Sequence, residues 1–125
     1  MRTHGPRHAL ALAALAALLM ASLPAHADDP ADDPAYVGTW ASDLAQCKVP
    51  QERQEAPLML SKDGYDQYET HCRFTSVDGT GNEWKVTSEC TVEGSAEPYD
   101  FTLTVSGGTL TVTDDTGARD LLLCK

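Results

Sequence analysis

The sequence predicts an all-β domain: a small up-and-down antiparallel barrel, or a highly curled meander, of about seven to eight strands with one short helical turn near Asp43–Cys47. Three observations predict it. Residues 83–93 and 99–105 alternate apolar and polar side chains with period two, the pattern of a half-buried antiparallel strand. Gly- and Asp-rich turn signals recur at short intervals through the second half of the chain. The connections between alternating segments are short, so consecutive strands pair as a meander. A one-sided sheet of this size hides its apolar face by curling closed, which also removes exposed edges. A two-sheet sandwich is the alternative.

The first 27 residues read as a secretory signal peptide, with Arg2 and Arg7 in a basic n-region, an Ala/Leu/Met run from Ala9 to Met20, a break at Pro24, and Ala25-His26-Ala27 as the small-x-small cleavage signature. Cleavage is expected between Ala27 and Asp28. The apolar run falls short of the roughly 20 residues a bilayer requires, so no membrane insertion is expected after cleavage. An Ala-rich core behind a basic n-region points to the periplasm or the medium. Residues 28–35 contain a tandem Asp-Asp-Pro and are expected to form a disordered acidic tail. Residues 36–125 form the barrel domain.

Within that domain, Tyr36–Ala41 reads as a short strand, and Ser42 as the N-cap of one helical turn over Asp43–Lys48 that carries Cys47. Val49–Pro57 is a polar loop. Leu58-Met59-Leu60 is a strand and Lys62-Asp63-Gly64 a turn. Tyr65–Val77 reads as one imperfectly alternating strand, with Tyr68, Thr70, Cys72 and Phe74 on one face. Asp78–Asn82 is the strongest turn signal. In the next strand Trp84, Val86, Ser88, Cys90 and Val92 face inward, opposite Lys85, Thr87, Glu89, Thr91 and Glu93. Tyr99, Phe101, Leu103 and Val105 repeat the pattern. After the Ser106-Gly107-Gly108 turn, Leu110 and Val112 face inward, and Ala118–Cys124 closes the chain after a turn at Asp114–Gly117.

All four cysteines, Cys47, Cys72, Cys90 and Cys124, lie beyond the leader, and an even count in a short exported chain reads as two disulfides. Zinc ligands favour close Cys pairs, which these are not. Three pairings are open. A hairpin centred near Gly81-Asn82 sets Cys72 nearly opposite Cys90 on the inward face, favouring that bridge and leaving Cys47 to Cys124.

Without the leader, 98 of the 125 residues remain, with 7 Lys and Arg against 19 Asp and Glu, a net charge of −12. Such a surface disfavours nucleic acid and anionic membranes, whose phosphates need basic groups. It suits a basic partner or simple solubility. His71 is the one histidine left, sharing an outward face with Glu69 and Arg73, and it reads as solvated because no nucleophile or third group can be placed beside it. Glu83, Glu89, Glu93, Asp100 and Asp120 read as an acidic skin rather than a glycosidase pair. The glycines fall in β-turns without the strand–helix setting of a phosphate loop. Trp40 and Trp84 read as core. No catalytic, cofactor-binding or metal residue is singled out, no cofactor is expected, and a monomer is.

Gly38-Thr39-Trp40 on the first strand resembles the G-x-W signature of lipocalin-type barrels. The layout Trp40…Cys47, Cys72, Trp84…Cys90 and terminal Cys124 resembles small Cys-containing exported β-barrel proteins of alphaproteobacteria. It is also similar to the small barrels of periplasmic C-type lysozyme inhibitors, which plug the lysozyme cleft with polar groups of a Ser/Gly-rich loop. Ser106-Gly107-Gly108 and Asp78–Asn82 are the nearest loops here, and both differ from that motif, so no site residue carries over. These resemblances imply a non-enzymatic binding module for a protein partner, a basic protein such as lysozyme. The alternatives are a lipocalin-like carrier of a small apolar ligand and a structural or stress-related envelope protein.

Overall fold

In a computed structural model, which describes residues 32–125, the chain forms a closed antiparallel barrel. Its eight strands are β1 (Gly38–Ala41), β2 (Leu58–Leu60), β3 (Gly64–Gln67), β4 (Thr70–Thr80), β5 (Glu83–Val92), β6 (Ser95–Ser106), β7 (Thr109–Asp114) and β8 (Gly117–Leu123). Each pairs with its sequence neighbour, and β1 closes on β8 through Trp40 opposite Leu123 and Ala41 opposite Leu122. One sheet wraps round on itself, so the sandwich does not form. The expected signal peptide, its expected Ala27–Asp28 cleavage junction and residues 28–31 of the expected acidic tail lie outside the described residues.

Period-two patterning decides which side chains fill the barrel. On β5, Trp84, Val86, Ser88 and Cys90 are buried while Lys85, Thr87, Glu89 and Thr91 are exposed. Leu58, Leu103 and Leu110 are wholly buried, with Trp40, Phe74, Phe101, Val112 and Leu121 packed among them. Truncating such a leucine to alanine costs about 2–5 kcal/mol. The interior is therefore a packed core. Among the described residues the one buried polar side chain, Ser88, donates its hydroxyl to the Tyr99 carbonyl at 2.7 Å, which offsets the cost of burying it.

The segment before β1 caps one end. Tyr36 is buried and donates its hydroxyl to the Lys62 carbonyl at 2.8 Å, while its own carbonyl accepts the Trp40 indole N–H at 2.9 Å. Val37 N–H donates to the Pro34 carbonyl, and Asp33 meets Lys62 at 3.3 Å. Asp33 and Pro34, placed in the acidic tail by composition, thus contact the domain.

Four local expectations are corrected. Asp43, not Ser42, caps the helical turn: its carboxylate accepts the Ala45 N–H at 2.8 Å, and the turn is a 3-10 turn over Leu44–Lys48. Tyr65–Val77 is not one strand but β3 and part of β4, separated by a tight turn at Tyr68-Glu69. Tyr68 there adopts φ 55°, a conformation nothing in its residue type announces. The turn expected over Asp78–Asn82 narrows to Gly81-Asn82, because β4 runs on to Thr80. The strand expected from Tyr99 begins at Ser95, directly after a Glu93-Gly94 turn.

Both disulfides form, Cys72 with Cys90 and Cys47 with Cys124, closing loops of 18 and 77 residues. Cys72 faces Cys90 directly in the β4–β5 register. The other bridge ties the 3-10 turn, across β1, to the residue after β8.

Candidate functional site

Up-and-down order sends the β1–β2, β3–β4, β5–β6 and β7–β8 connections to one end of the barrel and the remaining three to the other. The two ends differ in charge. The first carries Asp43, Glu52, Glu55, Glu69, Glu93 and Asp115 against Lys48 and Arg53; the second is built around Lys62-Asp63, Gly81-Asn82 and Gly107-Gly108.

The acidic rim has a defined architecture. Gln67 faces Thr70 across the Tyr68-Glu69 turn, and Val92 faces Ser95 across the Glu93-Gly94 turn. Glu93 and Gly94 have φ of 49° and 85°, the paired positive values of a two-residue hairpin turn that follows the twist of its strands. Because Thr70 also faces Val92, the two turns lie side by side, and Glu93 N–H donates to the Glu69 carbonyl at 3.1 Å. The Val49–Pro57 loop is fixed against them by two glutamines. Gln51 accepts the Tyr68 N–H at 3.1 Å and donates to the Pro57 carbonyl at 2.9 Å; Gln67 donates to the Ala56 carbonyl at 3.0 Å.

Tyr68, in the first of these turns, is partly exposed. The carboxylate of Glu69 first, then slight burial and the carboxylates of Glu93 and Glu55, hold its phenol above the ordinary value of 10. Three carboxylates from three connections thus act on one aromatic side chain. None of the three forms an ion pair among the described residues, where only Lys62–Asp33 and His71–Asp66 do. Residues 32–125 carry 17 Asp and Glu against 7 Lys and Arg, so most carboxylates must remain solvated.

Behind the rim the barrel mouth is closed by aromatic groups. Tyr65 and Tyr99 meet edge to face at 6.3 Å; Arg119 donates to the Tyr65 hydroxyl at 2.7 Å, and the Tyr99 hydroxyl donates to Asp114 at 2.7 Å. A shallow hollow between Thr70, Val92, Glu97 and Pro98 ends on these two rings.

His71 sits elsewhere, on the outer wall. Its Nδ1 lies 2.7 Å from Asp66, its cross-strand neighbour on β3, and Thr91 faces it on β5. Both partners of the pair are more than half exposed. Arg73 shares its exposed face on β4, as expected, while Glu69 lies in the preceding turn; the partner Asp66 is reached only across the Tyr68-Glu69 turn. Glu83, Glu89, Asp100 and Asp120 are exposed and scattered around the wall, while Glu93 joins the rim. Trp40 and Trp84 are core residues, 1% and 6% exposed. Among the described residues no three His, Cys, Asp or Glu side chains converge to hold a metal ion.

No protein-family model, curated protein or solved structure matches this chain.

Proposed function

We propose that this protein is an exported, non-enzymatic binding domain, acting in the periplasm or the medium, that takes a strongly basic protein partner on its acidic rim. The side-by-side Tyr68-Glu69 and Glu93-Gly94 turns, held by the Glu93 N–H to Glu69 carbonyl bond, set two acidic residues beside partly exposed Tyr68 and carry the reading. Fixed like charges raise the local concentration of a basic protein and speed its encounter. A tyrosine among them supplies the apolar contact and polar tip that interface anchors use. Two disulfides suit an oxidising compartment. The packed interior favours a surface site over a lipocalin-like cavity for a small ligand. The similarity to small inhibitors of C-type lysozyme supplies a basic partner to try first, with the rim in place of their Ser/Gly-rich loop.

Mixing the oxidised mature protein with a C-type lysozyme and following cell-wall lysis tests the reading. Lysis is expected to fall, and the E55K/E69K/E93K variant to restore it. Association is expected to weaken as salt rises, because the rim is solvent-exposed. Undiminished lysis at excess protein, with no binding by calorimetry, rejects the lysozyme reading.

A further inference from the structure

We propose that the free edge of β4 from Thr75 to Thr80 receives an extended segment of a partner protein as an added antiparallel strand, the segment alternating apolar with basic residues. β3 pairs with β4 only from Thr70 to Arg73. One further bond, from Phe74 N–H to the Asp63 carbonyl at 2.8 Å, ends that contact. β5 continues along the other side of β4 as far as Thr80. Thr75–Thr80 are all exposed, so the closed barrel keeps an open edge along this stretch.

Strand geometry identifies the groups on offer. In an antiparallel pair, alternate residues point both N–H and C=O toward the partner strand or away from it. Phe74 points away from β5, as its bond to Asp63 requires. The register then shifts between Phe74 and Ser76, and the two-residue turn sets Thr80 and Glu83 as a facing pair. Counting back from Thr80, Asp78 and Ser76 bond toward β5, while Val77 and Gly79 present N–H and C=O outward. Among the described residues no hydrogen bond reaches those outward groups.

A second open stretch is handled differently. β7 pairs with β6 only from Thr102 onward, leaving Ser95–Phe101 with β5 alone, and Pro98 lies within that stretch. Proline lacks the N–H an incoming strand needs and is a usual guard of exposed edges. The β4 edge has neither proline nor lysine, and its Val77 is 38% exposed. Proline closes one edge, whereas the other has only the register shift before Ser76 and the charge of Asp78, which a basic partner would match.

Side chains define the occupant. Val77 faces Val86 and shares its side of the sheet; Asp78 faces Lys85 on the other. An added strand therefore sets an apolar residue beside Val77 and a basic residue beside Asp78, which has no ion pair among the described residues. A second copy of this chain would bring together two mature domains of net charge −12. The chain's own Asp28-Asp29-Pro30-Ala31 is acidic and carries a proline. A basic segment of another protein fits best. This inference rests on the reading of the domain as a binder of basic proteins, but the open edge lies toward the end opposite the acidic rim, so the two surfaces can be altered separately.

The test titrates 15N-labelled oxidised protein with a synthetic peptide of alternating Val and Lys. Amide exchange at Val77 and Gly79 is expected to slow by about tenfold or more at saturation, and by more than at Tyr68 and Glu69. Val77→Pro removes an edge donor without touching the β5 ladder and should weaken binding by about tenfold or more. Val77→Lys keeps the donor, repels the peptide and should weaken binding likewise, which covers the case in which the proline variant fails to fold. Unchanged exchange at Val77 and Gly79 at the highest peptide concentration overturns the proposal, as does wild-type affinity in the folded variants. Protection that grows with protein concentration in the absence of peptide also overturns it, assigning the edge to a second copy. Lysozyme binding without peptide protection removes the edge and leaves the rim; peptide protection without lysozyme binding does the reverse.

Discussion

Tyr99 and Asp114 tie the middle of β6 to the end of β7, and they set how the fold responds to pH. Hydrogen bonds from the Thr116 hydroxyl, the Tyr99 hydroxyl and the Thr116 N–H hold the Asp114 carboxyl at about 2, below its ordinary 3.8. A carboxyl lowered by folding takes up its proton first in the unfolded chain. Its contribution is therefore complete above pH 3.8 and lost as pH falls through about 2. Tyr99 works in the opposite sense. Burial, then the bond to Asp114, raises its phenol above 10, so its contribution is present below pH 10 and declines as pH rises beyond that. Tyr99→Phe should raise the Asp114 pKa in an NMR titration and flatten the alkaline fall in Tm; an unmoved Asp114 would show that the tyrosine bond is not part of its stabilisation. Gly79 leaves no room for a side chain against the facing strand. A Cβ there would stand 2.7 Å from Trp84 Cα and closer still to the Glu83 carbonyl, at φ 156°. Gly79→Ala should cost about 1–3 kcal/mol in denaturant unfolding, and a neutral result would mean the hairpin can relax around it.

The elements of the barrel depend unequally on their staples. β1 closes on β8 through only two register pairs, whereas β4 and β5 share a long ladder. Cys47–Cys124 reinforces the weak seam, next to the bond from Cys124 N–H to the Thr39 carbonyl at 2.8 Å. Chain entropy predicts that Cys47→Ala with Cys124→Ala costs about 4.5 kcal/mol, and Cys72→Ala with Cys90→Ala about 3 kcal/mol. Hydrogen exchange should then quicken in β1 and β8 for the first pair of substitutions alone. Equal losses, or opening confined to β4–β5, would contradict the role given to the seam. Much of this architecture was legible in the sequence. β5 and β7 alternate without interruption, and Cys72 facing Cys90 followed from where the hairpin turns. The Tyr68-Glu69 turn was not legible, since neither residue favours positive φ, and its loss fused β3 to β4. The Glu69–Glu93 juxtaposition was hidden for the same reason, because it exists only once those turns are adjacent.

At the scale of the whole molecule, an apolar interior and an acidic exterior are separated by strand alternation alone. Trp40, Leu58, Leu103 and Leu110 give the inside to packing. Net charge was legible from composition; its gathering at one end was not, because Glu55, Glu69 and Glu93 are brought together by three different connections. On the proposed function, this gathered charge, with Tyr68, is where a basic protein binds. Chemical-shift mapping of the 15N-labelled oxidised protein against a C-type lysozyme tests it most directly. Shifts centred on Tyr68, Glu69, Glu93 and Glu55, lost in high salt and in the E55K/E69K/E93K variant, are the predicted result. Shifts confined to the opposite end of the barrel, or no shifts at saturating lysozyme, would contradict it.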